Sequence, residues 1–145
     1  VAAHIGYTPQ FHREVAVQGK TFENAAELID GALQLQRAGA SMIVVELVPE
    51  ELADAIAKRL TIPTIGIAAG RFTDGQGLSV GDLLGMNPRK LRHAKQYMDF
   101  TAQAEQAIRS YADEVRNREF PAESNVRHMN ESELRRVEEW LRFAN

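Results

Sequence analysis

The chain has 145 residues, 44% of them apolar and 26% charged, enough for one domain with its own core and too apolar for an intrinsically disordered segment. A formal charge of -3 gives no electrostatic case for nucleic acid or an anionic membrane, and no apolar run approaches the ~20 residues of a membrane span. The absence of cysteine excludes disulfides and thiolate-ligated zinc, and it suits a cytoplasmic protein.

Residues 1–5 form the first of three short apolar segments, each closed by Gly or Pro; the others are 42–48 and 64–67. None alternates polar with apolar residues, so they read as parallel strands buried on both faces. The chain opens inside the first of them, on VAAHIGYTP, which is the pattern expected of a portion of a longer polypeptide. Residues 22–38 place Ala25, Leu28, Ile29, Ala32 and Leu33 at helical spacing and stop at Gly39, a natural residue for the position after a helix. Residues 50–60 carry Leu52, Ala53, Ile56, Ala57 and Leu60 on one stripe between Pro49 and Pro63, a second helix. Strand, helix, strand, helix, strand predicts right-handed βαβ units and a parallel sheet.

The third strand runs into a glycine-rich loop, GIAAGRFTDGQG, residues 66–77. Its glycines fit neither a dinucleotide-binding nor a P-loop fingerprint. Residues 78–86 read as a fourth strand entering a helical turn. Asn87-Pro88 then looks like a cap followed by proline at the first helical position, opening a long helix to about Arg116 with Leu91, Ala94, Tyr97 and Ile108 inward. The basic run Arg89, Lys90, Arg92, His93 and Lys95 at that helix start opposes the dipole preference; it reads as a solvated face, or as a site for an anionic substrate tail. Phe120-Pro121 breaks the helix. In the tail, Asn130 caps a last helix with Glu133 three residues on, and Leu134, Val137 and Leu141 form a stripe beside Trp140 that is expected to dock on the body or on another subunit. The domain reading is residues 1–121, with 122–145 as a helical extension.

In parallel α/β architectures function collects at the carboxyl ends of strands. That rule selects His4, Glu46 and the glycine loop with Gly66 and Gly70. Glu46 sits among Met42, Ile43, Val44, Val45 and Leu47, where an ionised carboxylate is costly unless it is paired, so it is a held core acid or a base in a dry pocket. His4 is a satisfied core histidine or a hydrogen-bond donor to an oxyanion. Gly66 and Gly70 allow close approach to a small anionic ligand or simply form turns. The four histidines are too scattered for a zinc motif.

Taken in order, HIGYTPQ (4–10), VQGK (17–20), AGA (38–40), VVELVPEELA (44–53), IPTIGIAAG (62–70) and DGQ (74–76) closely resemble the ketopantoate hydroxymethyltransferase family from residue 1 to about Pro121. The resemblance implies the second half of a (β/α)8 barrel of the phosphoenolpyruvate mutase and isocitrate lyase type, with extra C-terminal helices, in a homo-oligomer, by the family's habit a decamer. It implies Mg²⁺-dependent transfer of a hydroxymethyl group from 5,10-methylenetetrahydrofolate to 2-oxoisovalerate, with Glu46 as base and His4 the histidine of the H-x-G-x-T-P-Q motif. The family's metal ligands belong to the first half of the barrel, so no metal ligand is expected in this chain, and the segment alone is expected to be inactive. Departures from the family pattern are FHREVA after TPQ, Ala68-Ala69 within the glycine loop, GLSVGD after DGQ, and the final helix. Two further readings are a related C–C lyase or aldolase on another 2-oxo acid, and an inactive homologue with a binding or assembly role.

Overall fold

The computed structural model describes residues 1–143. Its elements in order are β1 (Ala2–Gly6), α1 (Phe22–Arg37), β2 (Met42–Glu46), α2 (Glu50–Arg59), β3 (Thr64–Ile67), β4 (Gly75–Gln76), α3 (Val80–Leu83), α4 (Phe100–Asn117), a short 3-10 turn (Glu123–Asn125) and α5 (Glu131–Phe143). The four strands are parallel and lie in one sheet in the order β1-β2-β3-β4. Contacts divide the chain into two compact units, Val1–Phe100 and residues 101 onward.

Local chemistry explains the first unit's elements. The Thr21 hydroxyl accepts from the Asn24 N–H at the start of α1, and the helix ends before Gly39, whose φ of 96° an L side chain rarely adopts. Helix α2 begins after Pro49 with Glu50 and Glu51 and ends with Lys58 and Arg59, charges that complement the helix dipole at both ends. One hydrophobic cluster joins Ile43 and Val45 of β2 to Ala32 of α1 and to Leu52, Ala53 and Ile56 of α2. Both crossover helices therefore cover the same side of the sheet, as successive crossovers of one hand along an unreversed strand order require. The other side carries Met42, Val44 and Glu46, all partly exposed. Met42 and Val44 are apolar without being covered by a helix of this chain.

Two expectations change. The fourth strand is Gly75–Gln76, not residues 78–86, and that later segment holds α3, capped by the Ser79 hydroxyl. The long helix begins at Phe100 rather than at Pro88. Asn87 instead donates its side-chain amide to the Asp82 carboxylate at 2.7 Å. Four cations between residues 89 and 95 would crowd the positive end of a helix dipole, whereas Asp99, a residue type that favours caps, immediately precedes the observed start.

In the second unit, α4 carries the ion pairs Glu105–Arg109 and Asp113–Arg116, and Tyr111 meets Phe120 edge-on at 5.6 Å. Asn130 caps α5 by accepting from the Glu133 N–H at 2.9 Å, as predicted. The apolar residues of α5, Leu134, Val137, Trp140 and Leu141, are exposed. Among the described residues no helix is long and apolar enough to cross a membrane.

Candidate active site

Register brings the two predicted chemical residues together. His4 of β1 pairs with Val44 of β2, and Glu46 pairs with Gly6. Residues opposite each other in a parallel ladder share a face, and so do residues two apart along one strand, so His4 and Glu46 are diagonal neighbours on the face without helices. The His4 Nε2 lies 3.1 Å from the Glu46 Oε2, with the two side chains 31% and 21% exposed. The approach is close, but its angles do not make it a hydrogen bond. Among the described residues, His4 Nε2 is the one buried side-chain polar atom without a hydrogen-bond partner. Buried polar atoms are nearly always paired, so an unpartnered nitrogen beside a carboxylate oxygen marks a place where a third group can be received.

The backbone around this pair is tightly made. Each of the first three strands ends in a left-handed residue: Gly6 at φ 85°, Leu47 at 51° and Ala68 at 51°. Gly6 is required there, because a Cβ would collide with the Glu46 carbonyl oxygen. Leu47 and Ala68 are not glycines, so both turns hold mild strain of the kind found beside functional sites. Leu47 donates its N–H to the Ile67 carbonyl and accepts from the Gln18 N–H, and these bonds hold the turn in place.

The glycine loop is fixed from within. A Cβ on Gly66 would come 2.5 Å from the Thr73 hydroxyl oxygen, and one on Gly70, at φ 82°, would come 2.5 Å from the Glu50 side chain. Gln76 donates its amide to the Gly70 carbonyl and the Thr73 hydroxyl. Arg71 grips Glu50 through its side chain at 2.7 and 2.9 Å and through its backbone N–H at 2.8 Å, and these hydrogen bonds lower the Glu50 carboxyl to about 2. Asp74 accepts from the N–H and hydroxyl of fully buried Thr64, which holds its carboxyl below the ordinary range and ties the loop to the start of β3. Gly70 also lines a cavity of about 560 Å³ beyond the ends of β2 and β3, together with Leu47, Arg71, Gln76, Arg92, His93, Lys95 and Tyr97; Gly66 is not among its lining residues.

A metal is a different matter. Among the described residues no three His, Cys, Asp or Glu side chains come together as ligands. One imidazole and one carboxylate do not meet the oxygen-rich, near-octahedral demand of Mg²⁺.

A profile of the ketopantoate hydroxymethyltransferase family matches residues 1–123. The chain belongs to that family. It is 46% identical over 130 residues to the 3-methyl-2-oxobutanoate hydroxymethyltransferase of Shewanella frigidimarina, a match covering 87% of this chain and 49% of the relative. The namesake enzyme of Gluconacetobacter diazotrophicus is 45% identical over 140 residues, 94% of this chain and 51% of its own, and that of Chloroflexus aurantiacus is 45% identical over 137 residues, 92% and 49%. The chain thus spans about half the length of the curated relatives it matches. Within this family member, sequence reasoning reached His4, Glu46 and the glycine loop but missed Leu47, Ala68 and the Glu50–Arg71 clamp. Acidic residues after a strand gave some hint of Glu50; nothing in the chain marks Arg71, twenty-one residues later, as its partner.

Proposed function

We propose that this chain supplies the proton-handling part of a ketopantoate hydroxymethyltransferase, which moves a hydroxymethyl group from 5,10-methylenetetrahydrofolate to 2-oxoisovalerate. The observation that carries the reading is the His4–Glu46 approach across neighbouring strands, from the middle of β1 to the carboxyl end of β2, with Nε2 otherwise unpartnered, in a member of this family. Glu46 removes the proton from C3 of the oxo acid. The lone pair left behind makes the substrate an enolate; one water opens the methylene bridge of the folate, releasing tetrahydrofolate and a formaldehyde unit, and the enolate carbon adds to that unit, whose oxygen takes up the proton held by Glu46. His4 donates from Nε2 to the enolate oxygen, placing a donor where negative charge develops. The left-handed turns at Leu47 and Ala68 hold the strand ends rigid around the reacting atoms. Gly70, on the cavity wall, lets the substrate approach the backbone; Gly66 supports the loop behind it. The described residues do not form a ligand set for a metal, so the Mg²⁺ that the family implies would be held by residues of the first half of the barrel, where it would supply Lewis-acid stabilisation of the enolate.

The fold supports the wider reading. Parallel strands in unbroken order with helices on one side are the arrangement of a (β/α)8 barrel rather than of a doubly wound sheet, and the uncovered face of Val44 and Glu46 would be the barrel interior. Residues 1–121 are then the second half of the barrel, closed by a first half that completes the substrate site, and 122–145 are an extension used in subunit assembly. The decisive experiment follows deuterium exchange at C3 of 2-oxoisovalerate by the full-length protein without folate. Glu46→Gln is expected to slow exchange at least about 100-fold, the scale of a lost general base; exchange at the wild-type rate would remove Glu46 from the reaction.

A further inference from the structure

The Glu50–Arg71 clamp holds more bonds than an ordinary surface ion pair. Exposed pairs contribute modestly to stability, and the Arg71 side chain is 79% exposed. Yet the Glu50 carboxylate receives three donors from this one residue: the Arg71 backbone N–H at 2.8 Å, Nε at 2.9 Å and Nη2 at 2.7 Å. The carbonyl of the preceding residue, Gly70, accepts from the Gln76 amide at 3.0 Å. The peptide unit between Gly70 and Arg71 is therefore pinned through its oxygen and through its N–H. Glycine at position 70 belongs to the same device, because a Cβ there would come 2.5 Å from the Glu50 side chain.

The place of the clamp in the chain shows what it can hold. Glu50 stands three residues beyond Leu47, and Arg71 three beyond Ala68, the left-handed residues that follow β2 and β3. At one end the two turns are joined by the Leu47 N–H, which donates to the Ile67 carbonyl at 2.8 Å. At the other end they are joined by Glu50 and Arg71. Residues 47–50 and 67–71 thus form one closed ring, and Glu46 immediately precedes it. A left-handed leucine is a costly conformation that persists only where its surroundings over-determine it. Opening the ring at the Arg71 end removes one of those constraints from the turn that sets the direction of Glu46.

We propose that Arg71 is a positioning residue for the proton transfer: by gripping Glu50 it fixes the Leu47 turn, and with it the reach of Glu46 toward C3 of the oxo acid. The assignment rests on the reading of Glu46 as the base. The planar fork of a guanidinium suits the task, since it meets both oxygens of one carboxylate in a fixed orientation.

Two measurements on the full-length protein test it. In the first, Arg71→Ala, Glu50→Ala and the double variant are compared by deuterium exchange at C3 of 2-oxoisovalerate without folate. Each single variant is expected to lower the maximal exchange rate about tenfold, a loss within reach of a sub-ångström misplacement, with KM for the oxo acid nearly unchanged. The double variant is expected to lose no more than either single one, because the two residues act as a unit. A maximal rate within about twofold of wild type in Arg71→Ala, losses that multiply in the double variant, or an effect confined to KM would each overturn the proposal. The second measurement does not depend on turnover. Amide hydrogen exchange at Leu47 is expected to speed about tenfold in Arg71→Ala while Val45 in β2 keeps its protection; unchanged protection at Leu47 contradicts the clamp. If the wild type shows no exchange at C3, the base reading itself fails, and the amide measurement still decides whether Arg71 holds the turn.

Discussion

Glu46 and His4 owe their meeting to register. A shift of one residue between β1 and β2 would turn one of them to the opposite face, so the pair is a product of the ladder rather than of either residue's neighbours in sequence. The position of Glu46 at a strand end was legible from the sequence, because apolar runs closed by Gly or Pro locate where parallel strands stop; His4, expected at an end as well, lies in the middle of β1, which continues to Gly6. The depth of Glu46 was not, since an apolar neighbourhood in sequence does not say which face the helices cover; the side chain remains 21% exposed. Removal of the imidazole, as His4→Ala, is expected to lower kcat by about 100-fold with a much smaller change in KM for the oxo acid, the pattern of a donor that matters chiefly once charge has developed. A kcat within about threefold of wild type would make His4 a packing residue. In the core, Ile56 is fully buried against β2, and Ile56→Ala is expected to destabilise the protein by about 2–5 kcal/mol in urea denaturation.

The elements were read unevenly, and the differences have physical causes. Strands and the two crossover helices were clear from apolar spacing, proline and glycine. Helix α4 was misplaced by a dozen residues because Asn87-Pro88 is a good start signal taken alone; the cations that follow weigh against a helix there, and Asn87 is bound to Asp82 instead. The clamp between Glu50 at the start of α2 and Arg71 in the glycine loop was invisible, since it joins residues far apart in sequence. It makes a pH-dependent contribution whose sign is fixed. The Glu50 carboxyl is lowered from its ordinary 4.5 to about 2 by the Arg71 guanidinium, so its stabilisation is complete above about 4.5 and is lost as pH falls through 2. The stability difference between wild type and Glu50→Gln is therefore expected to hold steady at neutral pH and to close between pH 4.5 and 2, as followed by denaturation midpoints. A difference that stays constant down to pH 2 would show that Arg71 does not hold the carboxylate.

For the molecule as a whole, one-sided helices on an unreversed parallel sheet and a family match over residues 1–123 point the same way. The family was legible because its motifs are short, ordered and local, whereas the way the two units are used in an assembly is not a local property of any motif. Leu134, Val137, Trp140 and Leu141 of α5 are exposed, and the proposed use of the tail in assembly rests on them. Sizing of the full-length protein with and without the segment corresponding to 123–145 is expected to show a smaller assembly after truncation; an unchanged mass would take α5 out of the subunit contacts. The central claim, that an acid at the end of β2 takes a proton from the carbon next to a 2-oxo group, is tested most directly by isotope exchange. Full-length protein and a Glu46→Gln variant with the same circular dichroism are incubated with 2-oxoisovalerate in D2O without folate, and deuterium at C3 is followed by NMR. The account expects exchange in the wild type and its near loss in the variant; exchange at equal rates in both would contradict it.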